Sequence, residues 1–202
     1  SPGSIESELR SAREAVVLHD LPHLSVFELN CPEARRWGKR MFTNNIKRLR
    51  EGQGNRNAMC DDRGRVLGLL DLYFNSPTHF TIVLDGVDRD WFETHYRMYL
   101  ILDDVELEPD AEEAARVLSL QGPGAEALLS GLGWELPEAE RAHLLREDGI
   151  RLCRRGRSGL PGFDIIVPPD AVEGTWDLLL QAGAVPVGNE AMEVLRVLRG
   201  EP

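Results

Sequence analysis

Leu118-Ser119-Leu120-Gln121-Gly122-Pro123-Gly124-Ala125-Glu126-Ala127-Leu128-Leu129 changes its structural character in the middle. Residues 116–120 read as a strand and 123–131 as a helix, so a strand hands over to a helix at the Gly-Pro-Gly run. The same alternation continues toward the C-terminus, where 149–154 and 162–167 read as strands. Two helices follow: 171–182 lies between Pro168-Pro169 and Gly183, and 190–199 lies between Gly188 and Gly200, so both carry stop signals. Toward the N-terminus, 32–49 has a helical pattern, with Pro32 in its first turn and Trp37, Met41, Phe42 and Ile46 at helical spacings. Past Gly52 to Gly54 the period changes. Residues 57–60, 66–74 and 79–84 read as strands, the first turn falling at Asp61-Asp62-Arg63-Gly64. A helix over 88–102 takes Asp88 as N-cap and places Trp91, Tyr96, Tyr99 and Leu100 mainly in the core, or partly against another lobe or subunit. Short strands, hairpins and single helices predict an α+β chain, with helices packed on largely antiparallel sheets. The acidic segment from Glu106 to Glu113, with Pro109 inside it, is either a solvated loop or the joint between two closely packed lobes, 5–108 and 114–202.

Composition narrows the function classes. With 42% hydrophobic and 28% charged residues over 202 positions, the chain is neither disordered nor a membrane protein, and it can bury a sizeable core. No apolar run approaches the roughly 20 residues needed to span a bilayer, and the start has no signal-peptide pattern, so a cytoplasmic location is expected. Ser1-Pro2-Gly3-Ser4 is set aside from the fold reading. A net charge of -11 argues against general nucleic-acid binding, because a phosphate backbone would be repelled over most of the surface. An anionic small ligand would need a local basic pocket. Arg151, Arg154, Arg155 and Arg157 supply one candidate, with a solvated loop as the plainer reading. Cys31, Cys60 and Cys153 lack metal-ligand or disulfide spacing and read as structural thiols; no metal is expected.

Four segments, in order, carry a family resemblance. Met41-Phe42-Thr43-Asn44-Asn45-Ile46, followed by Gly52-Gln53-Gly54 and Asp62-Arg63-Gly64-Arg65-Val66, resembles a TND segment with its glycine turn and strand, Asn45 standing where Asp is usual. The run from Leu118 to Leu129 is similar to an LQGP strand-to-helix junction. Arg154-Arg155-Gly156-Arg157-Ser158-Gly159-Leu160-Pro161-Gly162-Phe163-Asp164-Ile165 resembles RTGYTGEDGFEI. Ala182-Gly183, Pro186-Val187-Gly188 and the run from Ala191 to Arg196 resemble the closing AG, PIG and ARDxLR motifs. Together they resemble the glycine-cleavage T-protein (aminomethyltransferase) and YgfZ folate-binding superfamily.

The resemblance implies a tetrahydrofolate site and, in T-proteins, transfer of an aminomethyl carbon from a lipoyl-bearing protein to folate. The T-protein pattern GGIxDDLxxY, counted from Gly64, puts its catalytic Asp at Leu69 and its folate-contacting Tyr at Tyr73. Leucine cannot act as acid, base or charge stabiliser. Asp71 is the substitute, on the same strand face but about 7 Å along, so it would need a bulge or shifted register to serve. Asp164 keeps a carboxylate where the family's Glu anchors the pterin, since a carboxylate accepts two N–H donors side by side. Arg154, Arg196 and Asn44 complete the candidate folate contacts. Each has a plainer reading: Asp164 as an outward polar position, Tyr73 as a sheet-packing aromatic, Arg154 and Arg196 as ion-pair partners, and Asn44 as a local hydrogen-bonding side chain. Arg157 at the pterin-side Tyr, Met192 at the Arg of ARD and Leu198 at the Glu of LRLE are further departures. The departures at Leu69 and Met192 suit the YgfZ branch, which resembles T-protein in fold but supports iron-sulfur proteins, better than active aminomethyltransferases. The expectation is therefore a folate-binding protein without aminomethyl transfer. The alternatives are a one-carbon transferase using Asp71, and a partner-binding module that has lost the ligand, recognisable by a side chain filling the space beside Tyr73 and Asp164.

Overall fold

The computed structural model describes residues 4–87, 89–102, 105–108 and 115–200, with the backbone alone for 97–100 and 106–108. In chain order the elements are α1 (Ile5–Glu14), β1 (Val17–Asp20), β2 (Ser25–Asn30), α2 (Ala34–Met41), β3 (Gln53–Cys60), β4 (Val66–Ser76), β5 (His79–Asp85), α3 (Arg89–Leu102) and β6 (Glu106–Glu108). They continue with β7 (Arg116–Gln121), α4 (Ala125–Gly131), β8 (His143–Leu145), β9 (Arg151–Arg154), β10 (Gly162–Val167), α5 (Val172–Gln181), β11 (Val185–Pro186) and α6 (Asn189–Arg199). Two compact units result: Ser1–Leu21 with Arg116–Pro202, and Pro22–Ala115. The first 21 residues therefore group with the C-terminal half, an exchange that a sequential division into 5–108 and 114–202 does not contain.

In the discontinuous unit the sheet order is β11-β1-β7-β10-β9-β8, antiparallel except where β1 meets β11. Side chains alternate across a strand, so Leu18, Leu118, Leu120, Phe163 and Ile165 turn to one face and pack with Leu129 of α4 and Leu179 of α5. Val17 points the other way and joins Ala12 of α1 with Met192 and Leu195 of α6. The Gly122 junction is forced: its φ is +122°, and a Cβ there would strike the Ala15 carbonyl oxygen. Ser4, set aside in the sequence reading, caps α1 by accepting from the Ser7 N–H at 3.3 Å.

The continuous unit carries the order β3-β4-β5-β2-β6. Phe27, Leu29, Leu70, Leu72, Phe74, Phe80, Ile82 and Leu84 face one core with Trp37, Phe42, Phe92 and Tyr96. The helix expected over 32–49 stops at Met41, because Phe42 is extended (φ -123°, ψ 152°) and the next three polar side chains seek other partners. The Ala58 N–H donates to Thr43 Oγ1 at 2.9 Å, and the Asn44 N–H donates to Asn57 Oδ1 at 2.8 Å. The segment thus covers the edge strand β3. On α3, Phe92 and Tyr96 are core, whereas Trp91 is 38% exposed and stacks on His95 at 4.5 Å. The expected Asp88 cap, the Tyr99 and Leu100 packing and the Pro109 joint lie outside the described residues. Glu106–Glu108, read as loop or joint, is instead a strand along β2. Among the described residues no helix is long and apolar enough to cross a membrane.

Candidate functional site

On the discontinuous unit, the sheet face opposite α4 and α5 carries a buried polar row beside the apolar cluster around Val17. Register carries one row across five strands: His19 opposite Ser119, Ser119 opposite Asp164, Asp164 opposite Cys153, and Cys153 opposite His143. All five are buried. His19 Nε2 bonds to Asn189 Oδ1, and His143 Nδ1 lies 3.1 Å from Arg151 Nη1. Buried polar groups must be satisfied or they cost stability, and Gln121 shows how this face is satisfied. Its Nε2 donates to Ser119 Oγ at 2.9 Å and to the Arg155 carbonyl at 3.0 Å, while its Oε1 accepts from the Arg157 N–H at 2.9 Å. Gly162 gives this side chain room, since a Cβ there would overlap both Gln121 and the Leu120 carbonyl.

Asp164 is not an outward polar position. Arg157 Nε donates to its Oδ1 at 2.9 Å and its Oδ2 at 3.1 Å, Arg157 Nη2 donates to Oδ2 at 2.6 Å, and Ser119 Oγ donates to Oδ1 at 3.2 Å. The side chains are 4% and 14% exposed for Asp164 and Arg157 respectively. This is a bidentate, charge-assisted pair behind the protein surface.

The other arginines have partners of their own. Arg154 pairs with Phe163 in register, so it projects from the face opposite Asp164. Its guanidinium lies over the Phe163 ring and donates to the Pro137 carbonyl at 2.5 Å and to Glu126 at 3.0 Å. Arg155 donates to the Gly156 carbonyl, and Arg196 is paired with Glu193 of its own helix at 2.6 and 2.8 Å. The run from Arg151 to Arg157 is thus neither a solvated loop nor a basic pocket; its members are parts of the structure.

On the continuous unit, Leu69, Asp71 and Tyr73 of β4 share the face turned away from the core. Asp71 and Tyr73 are buried, Leu69 half-buried. The register is regular here: Leu69, Asp71 and Tyr73 oppose Ala58, Arg56 and Gly54 on β3, and Asp85, Val83 and Thr81 on β5. The irregularities fall elsewhere, at Met59/Cys60 and at Phe74/Ser76, so no bulge moves Asp71 toward position 69. Arg56 reaches both Asp71 and Asp85 at 3.3 Å. A carboxylate at residue 68 is sterically barred as well, because a Cβ on Gly68 would overlap the Val87 side chain. Asn44 sits beside this group, its Nδ2 donating to the Arg56 carbonyl at 3.0 Å. Along the same face Thr81 Oγ1 lies 2.8 Å and His79 Nε2 2.6 Å from Glu28 Oε2. A cavity of about 320 Å³ is lined by Leu67, Gly86, Val87 and Trp91, next along the chain from Asp85.

The sequence reading did not single out Ser119, Gln121, His19 or His143 as site residues, nor Arg56 and Asp85. One signal was available: Leu118-Ser119-Leu120-Gln121 alternates strictly, which marks its polar members as one face of the strand. Pairings such as Arg56 with Asp85 depend on strand register and leave no mark in the sequence. Among the described residues no group of three or more His, Cys, Asp or Glu side chains could hold a metal ion.

The fold is shared with the crystal structure of glycine cleavage system aminomethyltransferase T from Bartonella henselae, at a TM-score of 0.87 and 21% identity, over 98% of this chain and 55% of that one. In sequence the chain is 31% identical to an aminomethyltransferase of Rubrobacter xylanophilus over 97% of its own length and 54% of the relative's. It is 29% identical to one from Stenotrophomonas maltophilia, over 98% of its own length and 56% of the relative's. The chain thus spans about half the length of these relatives. Residues 2–200 match the model of the GCVT N-terminal domain, and the chain belongs to that family, the glycine-cleavage T-protein family.

Proposed function

We propose that this domain binds tetrahydrofolate or another reduced folate and does not carry out aminomethyl transfer by the carboxylate mechanism its resemblance implies. The observation that carries the second half is at position 69. An apolar Leu69 lies in regular register, Gly68 has no room for a side chain, and Asp71 two positions on is held by Arg56. Proton transfer or charge stabilisation needs an ionisable group within hydrogen-bond reach of the reacting atom, and Leu69 supplies none. The first half is supported by family membership and by Asp164, a buried carboxylate in the polar row of its sheet. Asp164 is the folate contact on which this reading rests; Asn44, Arg154 and Arg196 act through the structure instead. Partners are a lipoyl-bearing or iron-sulfur protein, in the cytoplasm.

Calorimetric titration with 5-formyltetrahydrofolate tests the reading. Saturable binding near one equivalent, with thermal stabilisation growing with ligand concentration, is the expected result. No heat at several temperatures and no stabilisation would overturn it. A second reading, a module kept for a protein partner after losing its ligand, is favoured by one observation: Arg157 fills the space beside Asp164. A one-carbon transferase using Asp71 is the third, and aminomethyl transfer that survives Asp71→Asn would remove it.

A further inference from the structure

We infer that Arg157 is an internal occupant of the Asp164 carboxylate and thereby decides which ligands that carboxylate accepts. A ligand must present the same planar pair of N–H donors, the N–C–N edge of a 2-aminopyrimidinone ring such as a pterin's, and must displace the guanidinium. This deepens the reduced-folate reading and rests on it.

The chemistry is a matter of matching edges. An ionised carboxylate offers two oxygens with about four lone-pair directions. Asp164 has Oδ1 taken by Arg157 Nε and Ser119 Oγ, and Oδ2 by Arg157 Nη2, with Nε shared between the two oxygens. The edge along which a ring could lay two donors is the edge the guanidinium already covers. A guanidinium and a 2-aminopyrimidinone share the grouping that makes this contact: a carbon flanked by two N–H-bearing nitrogens in one plane. Arg157 therefore mimics the ligand rather than merely blocking it. No covalent bond is made or broken in the exchange, because the same two oxygens accept from either partner.

The backbone makes the mimicry persistent. Residues 157–160 form a tight two-residue turn in which Ser158 and Gly159 have φ of 53° and 68°, as hairpin turns of this kind require. The Leu160 N–H donates to the Arg157 carbonyl at 2.9 Å, and Ser158 Oγ donates to the Met192 carbonyl at 3.1 Å. The Arg157 N–H is held by Gln121, and Gly156 has no space for a Cβ against the Leu160 carbonyl. The Cα of residue 157 is thus fixed, and only side-chain rotation can free the carboxylate. A preorganised internal partner weakens any external one by the free energy of its displacement.

The test compares wild type, Arg157→Ala and Arg157→Ala/Asp164→Asn by calorimetry and thermal shift, with three probes: pterin, lumazine, which has a carbonyl in place of the 2-amino group, and 5-formyltetrahydrofolate. Arg157→Ala is expected to bind pterin at least tenfold more tightly than wild type and to show no such gain for lumazine. Adding Asp164→Asn should abolish the gain. Millimolar methylguanidinium should raise the Tm of Arg157→Ala and leave wild type unchanged, and its competition with pterin is the outcome that a purely structural arginine would not produce. Should Arg157→Ala fail to fold, Arg157→Gln fills the volume without the donor fork and takes its place. Wild type that binds 5-formyltetrahydrofolate together with a variant that binds no tighter, or a lumazine gain equal to that for pterin, overturns the role of Arg157 and leaves the folate reading standing. Binding by the variant alone upholds Arg157 and removes the folate reading from the natural chain. No binding by any form overturns both.

Discussion

Asp71 and Asp85 share one guanidinium, yet their surroundings make them different residues. The Asp71 side chain is 4% exposed and that of Asp85 is 28% exposed, each 3.3 Å from Arg56. Removing charge from a sealed partner leaves Arg56 imperfectly satisfied, whereas the more open one is screened by water. Asp71→Asn is expected to cost about 1–3 kcal/mol and Asp85→Asn less than about 1 kcal/mol, measured by urea denaturation. Equal losses would show that the two carboxylates hold Arg56 alike. The lack of a carboxylate at Leu69 was legible because the change is written in one letter at one counted position. The capture of Asp164 by Arg157 was not. Its residue types were visible, but their meeting depends on a turn with two positive φ angles and on the side chain of Gln121, 36 positions away from Arg157.

Turns and helix ends show the same division between what period reveals and what side chains decide. Strand β10 falls at 162–167 as read, and β4, β5, α3, α5 and α6 lie within two residues of their expected limits, because apolar period and Gly or Pro stops dominate there. α2 ends early because Thr43 and Asn44 bond to β3, and β1 and β11 were not read at all, being only four and two residues long. The β3–β4 turn is chemically testable. Asp61 accepts from the Arg65 N–H at 2.8 Å, from Arg65 Nε at 2.6 Å and from the Arg63 N–H at 2.9 Å. The Arg65 N–H is the largest cause holding its carboxyl below 3.8; the Arg65 guanidinium and the Arg63 N–H add to this, against some desolvation. A carboxyl lowered in the folded state contributes stability that is present above its unfolded value, about 3.9, and is lost as pH falls through the lower folded value. The carboxyl resonance of Asp61 should therefore titrate below 3.8, with the Arg65 amide shift following it. A midpoint at or above that value would rule these bonds out as the clasp of the turn.

At the scale of the molecule, the decisive fact is that β1 lies between β11 and β7 inside the six-stranded sheet. Deleting residues 1–21 would remove an interior strand and the α1 side of the cluster around Ala12, Val17, Met192 and Leu195. It would expose the β7 edge and take His19 from the polar row that carries Asp164. Hydrogen exchange of the truncated chain is expected to show lost protection across 116–121 and 185–199, with protection over 53–85 retained. Preserved protection at 116–121 would show that β1 is dispensable. A sequence read from left to right assigns residues to neighbouring lobes, and only long-range pairing shows that the first segment belongs with the last.

That arrangement also orders events on the ribosome. The segment 22–115 emerges as one uninterrupted piece and can close its five-stranded sheet with its own residues. Val17 and Leu18, made earlier, have no strand to pair with until 116–121 is synthesised and none on their other side until 185–186. Strand β1, which leaves the exit tunnel before β2 to β6, is thus enclosed only after β7 and β11 have followed them, and until then its edges stay open to other chains.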